Sequence, residues 1–198
     1  KASASLAKEK GSFAHFDCDK YLESGFTKTL PASIRRLIRK NGMRNVCVNT
    51  QAPVGTTSLL AGVSSGIEPI PAPVYKRTFF SETDADATGR KQELAIDPFL
   101  AKAIQNGATI DQIKKYEGAL DIPVLKHFEA QEAAQRYIDN SVSKTLNLPK
   151  DYTQNELSSI MLKFAKTIKG TTIYRHGSRE HEPIQPLPLT EDIIKEVM

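Results

Sequence analysis

The densest concentration of groups able to do chemistry lies in Ala52-Pro53-Val54-Gly55-Thr56-Thr57-Ser58. Gly55 lets a backbone approach a ligand closely, and three hydroxyls offer donors. The first amides of a following helix would point outward with the positive end of its dipole. That combination suits an anion such as a phosphate. The run is not a GxxxxGKS/T motif, and the same residues also make an ordinary helix start, so spacing alone leaves both readings open. Elsewhere the reactive side chains are dispersed. Cys18 and Cys47 lack CxxC or Cys/His company, and His15, His127, His176 and His181 show no i,i+4 pairing. Neither a disulfide framework nor a metal site is expected.

The elements that must hold the 52–58 run can be read from periodicity and punctuation. Pro31 opens a helix over about 31–41, with Ile34, Leu37 and Ile38 on one side and Asn41-Gly42 as its stop. Asn45–Thr50 is short, β-branched and bounded by turn formers, which predicts a buried strand delivering the chain into the loop. The apolar Leu59-Leu60-Ala61 continues it as a short helix. Prolines at 69, 71 and 73 forbid regular structure, Val74–Phe80 extends, and 81–90 is expected as an exposed loop. Helices follow over about 99–105, 110–116 behind Thr109, and 123–138. Ser141–Leu146 reads as a strand or extended loop. Thr153 and Glu156 form a capping box for a helix whose stripe is Leu157, Ile160, Met161, Phe164 and Ile168. Thr171–Tyr174 is a further strand. Pro183, Pro186 and Pro188 suggest a stiff linker before a closing helix over 190–197.

Composition bounds the class. With 198 residues, 39% hydrophobic and 25% charged, the chain is a globular α/β protein able to bury a core. No run approaches the ~18–20 apolar residues of a membrane span, and no secretory signal opens the chain, so a cytoplasmic address and no membrane partner are expected. The net charge of +4 arises at the front, where residues 1–50 hold ten Lys/Arg against four Asp/Glu. Arg35, Arg36, Arg39, Lys40 and Arg44 suit a solvated helix face better than a nucleic-acid surface, because no aromatics interleave. Two or three good strands are too few for an α/β sheet, and the chain starts at Lys1, so a piece of something larger is expected.

Three ordered blocks resemble adenosylcobalamin-dependent (class II) ribonucleotide reductases. Residues 52–69, reading APVGTTSLLAGVSSGIEP, are similar to that family's substrate-phosphate loop and the SSGIEP segment after it. Asp139-Asn140-Ser141-Val142-Ser143-Lys144-Thr145-Leu146-Asn147-Leu148-Pro149 resembles its D-x-S-x-SKT-x-NLP block. Lys169–Arg179 resembles its KG-x-T-x-YR-x-GSR strand and turn. The resemblance implies an α/β fold that is the C-terminal part of a ten-stranded barrel, incomplete without a partner chain. Residues 1–182 would be the barrel portion and 183–198 a proline-rich linker with a terminal helix.

It further implies adenosylcobalamin as cofactor and a ribonucleotide as substrate, reduced to a deoxyribonucleotide as by a ribonucleoside-diphosphate reductase. The partner would be a larger reductase chain carrying the catalytic cysteine, since neither Cys18 nor Cys47 sits in the family's Asn-x-Cys-x-Glu motif. Residues 52–58 would anchor the substrate phosphates. Glu68, Ser141, Ser143 and Tyr174 are candidates to line the cavity, with Lys144 beside them. The alternatives are a loop brace for Glu68, an exposed turn for 141–144, and a satisfied structural hydroxyl for Tyr174. Class I relatives carry a Tyr-Tyr pair as radical relay, and Arg175 in the second position disfavours a relay here. A non-catalytic nucleotide-binding regulatory module is the alternative function.

Overall fold

A computed structural model describes residues 1–81, 83, 89–178, 182 and 184–197, and of Thr56, Leu59 and Val197 only the backbone. The expectations for Arg179, His181 and Pro183 lie outside the described residues. The front of the chain is helical: α1 (Ala2–Lys10), α2 (Cys18–Glu23), α3 (Gly25–Lys28) and α4 (Ala32–Asn41). Asp17 caps α2 by accepting from the amides of Asp19 and Lys20, which fixes where that helix starts. Ile38 of α4 is buried with Ala4, Leu22 and Met43, and Phe13, Phe16 and Tyr21 form a cluster of edge-on and tilted rings beside them. The basic cluster lies on the opposite face of α4, where Arg39 pairs with Asp19 at 3.0 Å. Arg44, beyond the helix, reaches the Lys10 carbonyl.

Residues 45–50 are not the buried strand that their β-branched composition predicts. Val46 and Val48 are 62% and 51% exposed. This stretch makes one parallel bridge, Gln51 to Val142, just past its end. Its amides are held instead by a side chain: Asp139 accepts from Val48 N (2.7 Å) and Asn49 N (3.0 Å). Then α5 (Gly55–Ala61) begins four residues ahead of the helix expected at Leu59-Leu60-Ala61, so Gly55–Ser58 of the expected loop are its first turn.

Two strands are additions to the sequence reading: one over Arg90–Ile96, in a stretch given no element, and one over Ile184–Pro186, in the expected linker. β1 (Val74–Phe80) pairs antiparallel with β2 (Arg90–Ile96) on one side and with β5 (Ile184–Pro186) on the other. β2 begins at the end of the expected 81–90 loop, and its polar Arg90-Lys91-Gln92-Glu93 opening hides the strand. β5 carries Pro186 opposite Tyr75 at the sheet edge, where a missing amide is tolerated. Under this sheet α6 (Pro98–Gln105), α7 (Ile110–Ile113) and α10 (Glu191–Val197) bury Leu100, Ile113 and Ile194 against Val74. α7 stops at Ile113, three residues short of its expected end.

The third packing unit carries the site. α8 (Val124–Gln135) and α9 (Gln154–Phe164) lie against β3 (Thr145–Leu148), which pairs in parallel with β4 (Thr172–Arg175). Thr153 and Glu156 form the expected capping box. Side chains alternate along 142–148, placing Val142, Lys144, Leu146 and Leu148 on the buried face. Phe128 and Phe164 stack there with ring centroids 5.1 Å apart. The architecture is mixed α/β, and the described strands form one three-stranded and one two-stranded sheet without closing a barrel.

Candidate functional site

The loop that opens α5 is shaped locally by its own hydroxyl and turns. Ser58 N donates to the Val54 carbonyl (2.8 Å), and Ser58 Oγ donates to that of Gly55 (2.7 Å). Ser58 is therefore buried and engaged, whereas Ala52, Pro53, Val54, Gly55 and Thr57 are exposed. The Thr56 side chain lies outside the described structure. Of the three candidate hydroxyls, Thr57 is the one described as facing solvent.

What surrounds the loop connects blocks far apart in sequence. At its start, Gln51 N donates to the Ser141 carbonyl (3.2 Å) and Ser143 N donates to the Gln51 carbonyl (2.8 Å). Thr50 Oγ1 adds a bond to the same Ser141 carbonyl (2.9 Å). Ten residues past its end, beyond α5, Glu68 accepts from Lys144 Nζ (2.9 Å) and from the Thr145 amide. Gly66 has a left-handed φ of +56°, and a Cβ there would fall 2.6 Å from the Gln51 side-chain nitrogen, so the two ends of the segment that holds the loop and α5 also touch one another. Glu68, Ser141 and Ser143 thus come together where the 141–145 segment meets the chain on either side of the loop and α5.

Tyr174 stands apart from that group. It lies on β4 opposite Asn147, and its hydroxyl donates to Glu182. Burial pushes the Glu182 carboxyl up, but the bonds from Tyr174 and the Gly177 amide and the nearby His176 outweigh it, leaving the group below its ordinary value.

Sequence reasoning gave no role to Asp139, Gln131 or Gln135, and all three are structural. Gln131 Nε2 donates to the carbonyls of Val142 and Gly170, and Gln135 Nε2 to those of Ile138 and Asn140. Their spacing of four on α8 was the available signal, since it puts both amides on one face. Lys169 completes the join by donating to the Asp139 carbonyl. A separate cleft of about 460 Å³, lined by Tyr21, Phe26, Val46, Arg136, Asp139 and Lys169 among others, opens where residues 46, 139 and 169 lead into extended segments. The loop lies at the opposite, outgoing end of the 45–51 stretch.

His127 is buried behind this assembly, donating from Nε2 to the Ala119 carbonyl at 2.9 Å. Burial pushes its imidazole below the ordinary 6.5; the Ala119 carbonyl pulls it up, Lys144 pushes it down and Glu68 pulls it up, with burial prevailing. The folded ring is therefore neutral where the unfolded one already binds a proton. This contribution is complete above pH 6.5 and is lost as pH falls from there through the lower folded value. The urea midpoint is expected to fall between about pH 7 and pH 5, with a shallower decline in His127→Gln. Equal declines in both proteins would refute the assignment.

The family model described as "Ribonucleotide reductase, barrel domain" matches residues 1–174. The vitamin B12-dependent ribonucleoside-diphosphate reductase of Mycobacterium tuberculosis is 31% identical over 205 residues, covering 95% of this chain and 27% of that protein. The enzyme of the same description from Thermoplasma acidophilum is 30% identical over 194 residues, covering 90% of this chain and 23% of that one. A crystal structure of a B12-dependent (class II) ribonucleotide reductase is similar in fold, with a TM-score of 0.52 and 17% identity over 73% of this chain and 21% of that chain. The chain spans about a quarter of the length of these relatives. Matched over 1–174 of its 198 residues, it belongs to the ribonucleotide reductase barrel-domain family.

Proposed function

We propose that residues 1–182 are the C-terminal portion of the catalytic barrel of a cytoplasmic, adenosylcobalamin-dependent ribonucleotide reductase, and that loop 52–58 holds the phosphates of its ribonucleotide substrate. The observation that carries this reading is that two of the three family-like blocks meet at the flanks of the loop: the 141–145 segment bonds to Gln51 just before it and to Glu68 ten residues after it. The third block, 169–175, is joined to the second through β3–β4 and Lys169. Such a base leaves exposed backbone and the Thr57 hydroxyl free to meet an anion.

The thiyl-forming cysteine is assigned to the larger reductase chain. Cys18 opens α2, and the Cys47 thiol lies against the Asp139 carbonyl at 4.0 Å, before the loop begins. Adenosylcobalamin, when bound, supplies the starting radical. The 460 Å³ cleft is rimmed by charged side chains, including Glu132, Arg136 and Lys166, and does not suit a flat macrocycle, so no residue of this chain is assigned to the corrin. This chain's share is to bind and orient the nucleotide, and orientation of a reacting group is worth several kcal/mol of a barrier.

The test uses the assembled reductase. Thr56→Ala combined with Thr57→Ala removes two donors and is expected to weaken ribonucleotide binding about tenfold or more, at about 1.5–3 kcal/mol per charge-assisted bond. Equilibrium binding of a ribonucleoside diphosphate reads the effect. Unchanged affinity with both threonines removed would overturn the loop assignment.

A further inference from the structure

Resting on that reading of the loop, we propose that the Ser141–Thr145 segment is a platform that sets the aim of the phosphate loop, with Glu68 and Lys144 as its positioning residues. Both feet of the 52–67 segment that holds the loop and α5 stand on this strip. The leading foot is Gln51, paired to Ser141 and Ser143 through its backbone. The trailing foot is Glu68, whose carboxylate takes one bond from the Lys144 ammonium and another from the Thr145 amide. Two donors from adjacent residues fix the direction of the carboxylate as well as its distance.

The strip itself is immobilised from behind. The Lys144 side chain is 1% exposed and shares the buried face of the strand with Val142, Leu146 and Leu148. Gln131, fully buried on α8, holds the Val142 carbonyl at 3.0 Å. The trailing foot is held on its far side too. Ala119 N donates to the Ile70 carbonyl (2.9 Å), and a Cβ on Gly118 would fall 2.8 Å from Ala72 Cα, so this backbone has no room to drift. A buried ammonium is costly and persists where geometry needs it. An apolar residue at 144 would fill the core equally well but would leave Glu68 only the Thr145 amide, one donor instead of two. Backbone donors grip an anion only within hydrogen-bond range, so a tilt of the loop loosens the ligand in ground and transition states alike.

The experiment is steady-state kinetics of the assembled reductase with a ribonucleoside diphosphate, comparing wild type, Glu68→Gln/Lys144→Met, and Thr56→Ala/Thr57→Ala. The Glu68/Lys144 double variant removes both charges and keeps shape. Its KM is expected to rise about tenfold with kcat within about twofold, the signature of lost uniform binding. A merely structural role would lower the melting temperature and the active fraction and leave KM unchanged, and that result overturns the proposal. If the threonine variant raises KM and the Glu68/Lys144 variant does not, the platform fails while the loop assignment stands. If neither raises KM, the loop assignment fails and takes the platform with it. Should the double variant not fold, Glu68→Asp keeps the charge balance with a carboxylate one methylene short. It is expected to raise KM about threefold or more, because one of its two bonds is lost, and an unchanged KM overturns the proposal.

Discussion

Replacing Phe128 with alanine is expected to lower the unfolding free energy by about 4 kcal/mol, the middle of the range for deleting a buried aromatic ring. Phe128 is fully buried and stacks on Phe164, and the pair fills the space between α8, α9 and the buried face of β3. Removing the ring leaves a cavity that Val124, Leu146 and Leu148 can collapse into only in part, because the strand is fixed by its ladder to β4. Urea unfolding of the assembled reductase, or of this chain where it unfolds cooperatively, measures the loss. Phe128→Leu keeps most of the volume and is expected to cost less than half as much. A loss below about 1.5 kcal/mol for Phe128→Ala would mean that the packing is not as described.

The second large effect comes from charge rather than volume. Glu68→Gln alone is expected to destabilise by about 3 kcal/mol, because it leaves the Lys144 ammonium in the core without its counter-charge. Lys144 is the buried partner at 1% side-chain exposure, while Glu68 at 24% keeps some water. Lys144→Met alone is therefore expected to cost less, since the stranded carboxylate can still be solvated. The double variant is expected to recover most of the loss, because an apolar residue of similar volume replaces the ion without the desolvation cost. The coupling between the two sites, measured as a double-mutant cycle in urea, is the quantity that decides. Additive losses would show that the two side chains do not depend on one another.

Local structure was legible where a segment's pattern and its environment agree. Thr153 and Glu156 announce α9 and Thr109 announces the start of α7, whereas α5 begins at Gly55, four residues before the Leu59-Leu60-Ala61 run that reads as helix. Legibility failed where the decisive partner is remote. Val46-Cys47-Val48 has strand composition, but strands are made by pairing, and here the amides go to the Asp139 carboxylate some ninety positions away. β5 was hidden by its prolines, which an edge position accommodates. β2 was hidden because an exposed strand shows no apolar alternation.

The site was legible in part. The resemblance picked out residues 52–58, Glu68, Ser141 and Ser143, and the fold brings the last three together at the flanks of the segment that holds the loop. It gave no hint of which atoms bond. Lys144 had a signal that was there to be used: it sits in period with Val142, Leu146 and Leu148, so a lysine on the inward side of a strand must have found an acid. Nothing in the spacing identified that acid as Glu68. The basic residues Arg35 to Lys40, by contrast, read correctly as a helix face, because amphipathicity is a local property of α4, while Arg44 falls past its end.

Glu68 and Lys144 are separated by 76 positions, and this has a consequence during synthesis. At ribosomal speeds of about 5–20 residues per second, some 4–15 s pass between the emergence of the loop and the emergence of the strip its flanks bond to. For that interval the nascent loop has no seat, and nucleotides in the surrounding fluid would meet a tether rather than a formed grip. If the loop grips phosphates as proposed, that ability arrives late and all at once, when the SKT stretch leaves the tunnel and the chain's two distant halves first engage.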